Sequence, residues 1–200
     1  MKILHTSDLH LGKNLSEESF YQDQKHILEQ ILNIVKEEQV DVIMIPGDIY
    51  DKSIPSAEAE MLLDEFLASL SQMKIDVLIT SGNHDSSDRL SYGSRIFDKY
   101  NIHIVTKYNG NITKFEKEDT VFYMLPFLKP FHLKHMMSEE EYSNVNNSNE
   151  MLKWILSKEN IDKNKKNILL AHQFIMWDSK LPEQSDSESI SLQNVGTIDA

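Results

Sequence analysis

Cysteine is absent from the 200-residue sequence, which excludes disulfide bonds and metal sites built on thiolates. This absence fits a reducing compartment, and we predict a cytoplasmic protein. The sequence also lacks an apolar run of the roughly 18 residues that a membrane-spanning helix needs, and it does not open on a basic-then-apolar secretion signal. We therefore expect neither a membrane anchor nor export.

Basic residues are scarce, with 20 Lys and Arg against 32 Asp and Glu, for a net charge of −12. An excess of negative charge argues against a surface that coats nucleic acid generally. A substrate that carries phosphate would have to be held by a local basic patch or by bound cations.

The first half of the chain alternates between short apolar runs and amphipathic stretches. Helical spacing of apolar residues at 19–38 and at 56–73 separates three runs of strand length, which are Ile3-Leu4, Val42–Ile45 and Val77–Ile79. Strands that are apolar throughout, alternating with helices, predict an α/β fold with a parallel sheet covered on both faces. The length suits one domain over residues 1–200.

The second half is less regular, and its pattern predicts shorter elements. We expect a helix at 89–100, a strand at 103–105, two strands within 111–125, a capping box from Ser138 to Glu141, a helix at Met151–Leu156, a buried strand at Ile168–Ala171 and a mobile polar loop at 179–191.

Polar side chains follow each of the apolar strands. The first is followed by Thr6–Gly12, the second by Pro46–Asp51 and the third by Ser81–Asp85. Asp8 and His10 stand at i and i+2, so an extended segment would turn both side chains to the same side. In the other two segments a glycine ends the strand, which lets the chain turn sharply and approach a bound group closely.

Because the carboxyl ends of parallel strands meet at one edge of a sheet, these side chains should converge. His172 also follows an apolar run, in the stretch Leu-Leu-Ala-His-Gln-Phe, and we expect it to join them. Carboxylate, amide and imidazole ligands together suit Mn²⁺, Fe²⁺ or Zn²⁺. The alternative is that these residues cap turns, and that His172 only ends a buried strand. The ligand set that we predict comprises Asp8, His10, Asp48, Asn83 and His172.

The segments MKILHTSDLHLGK, VDVIMIPGDIYDKSIPS, GNHDSSDRL and LPFLKP resemble the SbcD nuclease subunit family, within the calcineurin-like metallophosphoesterase superfamily. The superfamily pattern runs D-x-H, G-D-x-x-D, G-N-H-D/E, a lone H, and then G-H-x-H. The resemblance covers essentially the whole chain. It implies a calcineurin-like core of layered β-sheets flanked by helices.

The resemblance also implies a role for each matching position. Asp8 and His10 would bind one metal, Asp48 would bridge, and Asn83 and His172 would bind a second metal. The family uses two divalent ions, usually Mn²⁺, with Fe²⁺, Zn²⁺ and Mg²⁺ as alternatives, and hydrolyses phosphodiesters with a metal-bound hydroxide. The two catalytic residues that this comparison adds are His84, as the proton donor to the leaving oxygen, and Asp51, which would orient His84.

The substrate that the resemblance implies is DNA, cut by exonuclease and endonuclease action in repair and recombination. The implied partners are an SbcC-type ATPase subunit and a second copy of the chain, with no membrane. Lys13 and Arg89 flank the motifs and would contact DNA phosphates, although ordinary solvated charges are an equal alternative. Two other functions stay open: a phosphoesterase for small molecules or phosphoproteins, and a non-catalytic module for dimerisation or partner binding.

The sequence departs from the family after His172, where the pattern expects Gly-His-x-His and the chain ends at Gly196–Ala200. We therefore expect a truncated domain that lacks two histidine ligands, the capping region and the SbcC-binding region. We expect such a chain to bind metals weakly and to have little or no nuclease activity. We predict that Asp85 is a local hydrogen-bonding partner and not a ligand. The remaining histidines are assigned structural roles: His5, His26, His103, His132 and His135.

Overall fold

A computed structural model describes residues 1–15, 18–176 and 197–199 of the chain. Its strands are β1 Ile3–His5, β2 Asn14–Leu15, β3 Glu18–Ser19, β4 Val42–Pro46, β5 Asp76–Thr80, β6 Ile102–Val105, β7 Thr113–Lys117, β8 Thr120–Leu125, β9 Lys166–Ala171, β10 Phe174–Met176 and β11 Thr197–Asp199. Its helices are α1 Tyr21–Glu37, α2 Ala57–Gln72, α3 Ser87–Leu90, α4 Ser94–Phe97, α5 Glu139–Ser143 and α6 Ser148–Ser157, with 3₁₀ turns at Asp98–Tyr100 and Pro130–Leu133.

The chain divides into two compact units. The first contains Met1–Lys107, Thr113–Phe127 and Lys165–His172. The second contains Tyr108–Ile112, Leu128–Asn164 and the described residues from Gln173 onward. Every residue of the candidate metal centre lies in the first unit.

A four-stranded parallel sheet in the order β1-β4-β5-β6 forms the centre of the first unit. Alternate residues of its strands face opposite sides, so Ile43 and Val77 join one apolar cluster, to which α1 and α2 contribute Leu28 and Phe66. Burying each such side chain stabilises the fold by roughly 1.5–3 kcal/mol. The helices thus cover one face of the parallel sheet that the sequence predicted.

A second sheet covers the other face. Its order is β7-β8-β9, with β7 antiparallel and β9 parallel to β8. Val42 and Leu78 point away from the helices and pack with Phe122, Met124 and Leu170 of this sheet. The layered arrangement of β-sheets flanked by helices is therefore the predicted one.

In the second unit, the predicted capping box is confirmed at the start of α5. The Ser138 hydroxyl accepts from the Glu141 N–H at 3.2 Å, and the Glu141 carboxylate accepts from the Ser138 N–H at 3.1 Å. This main-chain donor, with Lys158 and Trp154, lowers the pKa of Glu141 to about 2.

Two predicted elements differ from the structure. Residues 89–100 do not form one helix, because Gly93 takes a left-handed conformation with φ 77° and separates α3 from α4. The strand predicted as buried at Ile168–Ala171 is β9, an edge strand in the described sheet. Leu170 of β9 is buried, but Leu169 is 37% exposed, so only one face packs on the core.

Ile27 and Met61 lie in the two stretches with helical spacing of apolar residues, but both side chains are exposed. The buried stripes of α1 and α2 run through neighbouring positions.

The loop predicted at 179–191 lies outside the described residues. Within the described ranges, the helices are too short or too polar to cross a bilayer.

Candidate metal centre

Four strand ends supply the predicted ligands. β1, β4 and β5 are parallel neighbours, so the loops that follow them leave the same edge of the first sheet. His172 follows β9, which belongs to the second sheet. The predicted side chains do come together, but they come from the ends of two sheets and not from one.

The carboxylate of Asp48 lies at the centre of this group and is buried, with the residue 3% exposed. Its Oδ2 atom is 3.4 Å from His172 Nε2, 3.7 Å from His10 Nε2 and 3.9 Å from His84 Nε2. Its Oδ1 atom accepts a hydrogen bond from the His84 N–H at 2.9 Å. One buried carboxylate thus faces three imidazoles.

Asp8 and Asn83 complete the group. Asp8 Oδ1 is 3.7 Å from His10 Nε2, and Asn83 Oδ1 is 3.1 Å from His172 Nε2. Two sets of potential ligand atoms result, each within 4.8 Å of one another. They share Asp48 and comprise His10, Asp48 and His84 in one set, and Asp8, Asp48 and His172 in the other.

The orientation of His172 fits a cation at this position. Its Nδ1 is 2.9 Å from the carbonyl oxygen of Pro46, which only accepts, so Nδ1 carries the proton of the neutral ring. The Nε2 lone pair then faces the oxygens of Asp48 and Asn83. Converging lone pairs need a proton or a cation between them, and fixing of the far nitrogen by a carbonyl is typical of metal-binding histidines.

His84 shows the same arrangement. Its Nδ1 is 2.8 Å from the main-chain oxygen of Asp51, which leaves Nε2 directed towards Asp48. The sequence predicted that Asp51 orients His84, and the contact is made by its carbonyl. The Asp51 carboxylate faces His10 instead, with Oδ1 3.5 Å from His10 Nδ1, a buried nitrogen without a hydrogen-bond partner among the described residues.

Charge interactions shift the pKa values of the central groups. Burial raises the pKa of Asp48, but His172 and the donated His84 N–H outweigh it, so the net shift is downward. Burial lowers the pKa of His172, yet Asp48, Asp8 and the Pro46 carbonyl together raise it by more. The contact with Asp8 raises the pKa of His10 against the effect of burial. Without a cation, the imidazoles of His10 and His172 therefore keep a proton to a higher pH than a free imidazole does.

Three of these residues adopt left-handed backbone conformations, with φ 56° at Asp8, 43° at His10 and 49° at Asp48. Such conformations cost about 1–3 kcal/mol each and need support from their surroundings, although Asp and His are among the residues that adopt them most readily. The support includes hydrogen bonds from the Asp8 N–H to Gly47 and from the His10 N–H to Asp48. The first two loops therefore hold each other in place.

Two glycines bring backbone against the ligands. A Cβ on Gly47 would lie 2.4 Å from His172 Cγ, and φ at Gly47 is 89°. A Cβ on Gly82 would lie 2.1 Å from Asp48 Oδ1. The Gly-Asp and Gly-Asn-His motifs thus exist because a ligand from another loop packs directly on the glycine.

Asp85 has the predicted local role. Its carboxylate accepts from the N–H groups of Ile49 at 3.2 Å, Tyr50 at 3.0 Å and Gly82 at 2.9 Å. Burial raises the pKa of Asp85, and these three donors oppose the shift. The residue therefore joins the second loop to the third.

The two predicted substrate contacts occupy different settings. Lys13 is half-buried, and its positive charge acts on His10 and lowers the pKa of that imidazole. Arg89 lies on α3 and is exposed. Lys13 is thus near the centre, while the contacts described for Arg89 do not extend to it.

A cavity of about 390 Å³ begins where the first two loops end. Leu11 and Gly12 follow His10, and Lys52 follows Asp51, and all three line it. The polar part of its lining also includes Asn14, Ser19, Tyr21, Ser56 and the acidic Glu58. This groove could not be predicted from the sequence, because its walls come from segments that are remote in sequence.

Two supporting side chains were also missed. Ser7 donates a hydrogen bond to the Asp8 carboxylate, and Gln24 on α1 bonds to the main chain of the first loop. A serine beside an aspartate and a glutamine in an amphipathic helix are both common, so the sequence contains no signal that distinguishes them.

Comparison with known families identifies the class of protein to which this fold and this site belong. Residues 1–197 match the calcineurin-like phosphoesterase family, and the chain belongs to that family. This match confirms the predicted fold class.

Among individual proteins, the chain is similar to the SbcD subunits of the SbcCD nucleases of two staphylococci. It is 37% identical to the Staphylococcus epidermidis protein over 202 residues, covering 100% of this chain and 52% of that one. It is 34% identical to the Staphylococcus saprophyticus subsp. saprophyticus protein over 203 residues, covering 100% of this chain and 52% of that one. The resemblance predicted from the motifs is confirmed, and the chain spans about half the length of these relatives.

Among solved structures, the chain is similar to a dimetal phosphatase from Danio rerio. The two share 20% sequence identity with a TM-score of 0.43, over 76% of this chain and 49% of that one.

Proposed function

We propose that the chain is the catalytic region of a DNA phosphodiesterase that works with two divalent cations, most favourably Mn²⁺. The observation that carries the proposal is the Asp48 carboxylate, which is buried and shared by two sets of ligand atoms. A buried carboxylate surrounded by imidazole lone pairs is costly unless protons or cations compensate it. Both units would belong to the one metallophosphoesterase domain proposed for residues 1–200, which a single cooperative unfolding transition would support.

The residues present fit such ions. By the family pattern, Asp8 and His10 would hold one cation, Asn83 and His172 the other, and Asp48 both. The observed sets divide these residues differently, Asp8 with His172 and His10 with His84, but both sets contain Asp48. The cations would supply charge stabilisation and would acidify a water at neutral pH. The His172 ring is already fixed for this role by Pro46, and the His10 Nε2 atom faces both Asp8 and Asp48.

His84 is the proposed proton donor to the leaving oxygen. Its ring is exposed and is anchored at Nδ1 by the Asp51 carbonyl. Anchoring at one nitrogen leaves the other free to exchange a proton with a bound substrate. His84 also stands within one of the two ligand sets, and its edge contacts the His10 ring at 4.9 Å between centroids.

The groove beside the centre favours DNA over a small phosphoester. A small ester would need only the ions, whereas a nucleic acid strand continues beyond the scissile phosphate. Lys52, Asn14 and the hydroxyl groups of the lining offer contacts to that continuing strand, whereas Glu58 adds one negative charge to the groove. Because the chain carries a net charge of −12, such local contacts matter more than a general basic surface.

Reversing the charge of Lys52 tests this substrate assignment. We expect Lys52→Glu to weaken single-stranded DNA binding about three- to tenfold and to lower the salt dependence by about one counterion. Any residual hydrolysis of bis(p-nitrophenyl) phosphate with Mn²⁺, which we expect to be low in this chain, should change much less. Fluorescence anisotropy across salt concentrations measures the first effect, and absorbance the second.

Lys99→Glu is the matched control, since Lys99 is exposed just before β6, at the opposite end of the sheet. Equal loss of DNA binding in both variants would show that the groove does not provide specific contacts to DNA. The alternative, a phosphoesterase for small molecules or phosphoproteins, then becomes the better one. A chain that binds Mn²⁺ under no condition would favour the non-catalytic module.

The names of the two staphylococcal relatives support a partner, since both are SbcD subunits of SbcCD nucleases. We propose an SbcC-type ATPase subunit and a second copy of the chain as partners. For self-association, exposed apolar side chains on and beside α4 provide a surface, with Tyr92 87% and Ile96 63% exposed.

Dimerisation is tested by Ile96→Asp, which places a charge in that surface. We expect the variant to be monomeric at concentrations where the wild type dimerises, as measured by size-exclusion chromatography with light scattering. Ile34→Asp, at an exposed apolar residue of α1, is the control. A monomeric wild type, or dissociation by Ile34→Asp alone, would contradict this surface.

A further inference from the structure

The side chain of Gln24 binds three main-chain groups of the first loop. Its Oε1 accepts from the Gly12 N–H at 3.0 Å. Its Nε2 donates to the carbonyl of His10 at 2.6 Å and to that of Leu9 at 3.3 Å. Gln24 is in the first turns of α1, so a helix of the core reaches the backbone on both sides of a proposed ligand.

The opposite side of the same loop is bound by the second loop. The His10 N–H donates to Asp48 at 3.0 Å, and the Leu11 N–H donates to Ile49 at 2.9 Å. Gln24 binds main-chain groups outside this pairing, and the His10 carbonyl also accepts from the Lys13 N–H at 3.1 Å. The peptide groups around His10 are therefore fixed from two directions, by the Asp48 loop and by α1.

These hydrogen bonds hold a residue whose backbone conformation needs support. His10 has a left-handed backbone, with φ 43°, and its Nε2 must stay close to both Asp8 and Asp48. A displacement of the loop backbone at His10 would move its imidazole relative to both carboxylates. The hydrogen bond from Gln24 to the His10 carbonyl opposes that displacement directly.

Only a primary amide can make these contacts. A glutamine has one acceptor oxygen and two N–H donors, and Gln24 uses the oxygen once and the nitrogen twice. A glutamate of the same size has no donor and would set a negative charge against two carbonyl oxygens. A methionine of similar length would make none of the three bonds.

We propose that Gln24 is a positioning residue of the metal centre, which holds the His10 imidazole in its binding orientation through the loop backbone. The proposal rests on the proposed function, because it gives His10 the role of a ligand. It adds to that function a residue on a helix, outside every motif of the family pattern.

The test compares Gln24→Glu with Gln22→Glu, which adds the same charge at an exposed position two residues earlier. Mn²⁺ binding is followed by electron paramagnetic resonance of the free ion. Partners behind a ligand typically change metal affinity 10- to 100-fold, so we expect a loss of about that size in Gln24→Glu. Gln22→Glu should remain within about twofold of the wild type.

A second measurement does not depend on metal. In the metal-free protein, the ring signals of His10, assigned with His10→Asn, should shift in Gln24→Glu and not in Gln22→Glu. The ring signals of His103, which lies on β6 and packs on Phe115, should stay in place in both. Should Gln24→Glu fail to fold, Gln24→Met allows the same two measurements without added charge.

The outcomes separate the two proposals. Unchanged Mn²⁺ affinity and unmoved His10 signals in the Gln24 variants would overturn the positioning role. A wild type that binds no Mn²⁺ would overturn the proposed function, while the His10 signals would still report on Gln24. Reduced affinity with shifted His10 signals supports both.

Discussion

Replacing Asp48 with asparagine is expected to lower Mn²⁺ affinity by at least about 100-fold, because even residues behind a metal ligand change affinity 10- to 100-fold. Asp48 is the residue shared by both ligand sets, so its loss affects both proposed cations at once. Any Mn²⁺-dependent hydrolysis of bis(p-nitrophenyl) phosphate should fall to background. Isothermal titration calorimetry and the absorbance assay measure the two effects.

The asparagine side chain keeps the size of the original, and its oxygen still accepts from the His84 N–H. The fold should therefore survive, which a thermal melt of the metal-free variant checks. Asp64→Asn, at an exposed position of α2, is the matched control and should bind Mn²⁺ as the wild type does. Retention of Mn²⁺ affinity by Asp48→Asn would show that Asp48 is not the bridging ligand.

The same residues give wild-type binding a definite dependence on pH. Asp48 raises the pKa of His172, and Asp8 raises the pKa of His10, so protons stay on both rings to a higher pH than usual. A cation binds the neutral imidazole and must displace those protons. Mn²⁺ affinity should therefore increase as pH rises through the raised pKa values, and this increase should be lost with the binding in Asp48→Asn.

The strand-end motifs could be predicted because they depend on local rules. An apolar run predicts a buried strand, parallel strands share an edge, and residues directly after the strands must meet there. Asp8, Asp48 and Asn83 each follow from these steps. The break in the helix at Gly93 was harder to predict, because a glycine within a helical pattern is often tolerated.

The supporting contacts could not be predicted, because they depend on which loop lies over which. The Asp51 carboxylate turns to His10 and its carbonyl to His84, and no spacing in the sequence distinguishes the two. His172 comes from a second sheet, whose packing depends on side chains such as Phe122 and Leu170. Gln24 is likewise separated from His10 by a full hairpin and the start of α1.

Gly82→Ala is expected to damage both stability and metal binding, although it adds only a methyl group. The added Cβ would lie 2.1 Å from Asp48 Oδ1 and 2.3 Å from the Asp48 nitrogen, distances at which backbone must move. Overpacking in a closed site costs typically 1–3 kcal/mol, and we expect about 3 kcal/mol here because the backbone cannot yield as a side chain can. For a chain of this length that lowers the melting temperature by about 6–12 °C.

Gly110→Ala separates this steric effect from the conformational cost of losing a glycine. Gly110 has φ 94°, so alanine is strained there, but its Cβ would meet no atom within 4 Å. That variant should lose only about 1 kcal/mol and keep its Mn²⁺ affinity. Gly82→Ala should lose Mn²⁺ affinity as well, because relief of the clash moves the Asp48 carboxylate away from the three imidazoles. A Gly82→Ala protein with wild-type melting temperature and Mn²⁺ affinity would mean that the third loop is not held against Asp48 in solution.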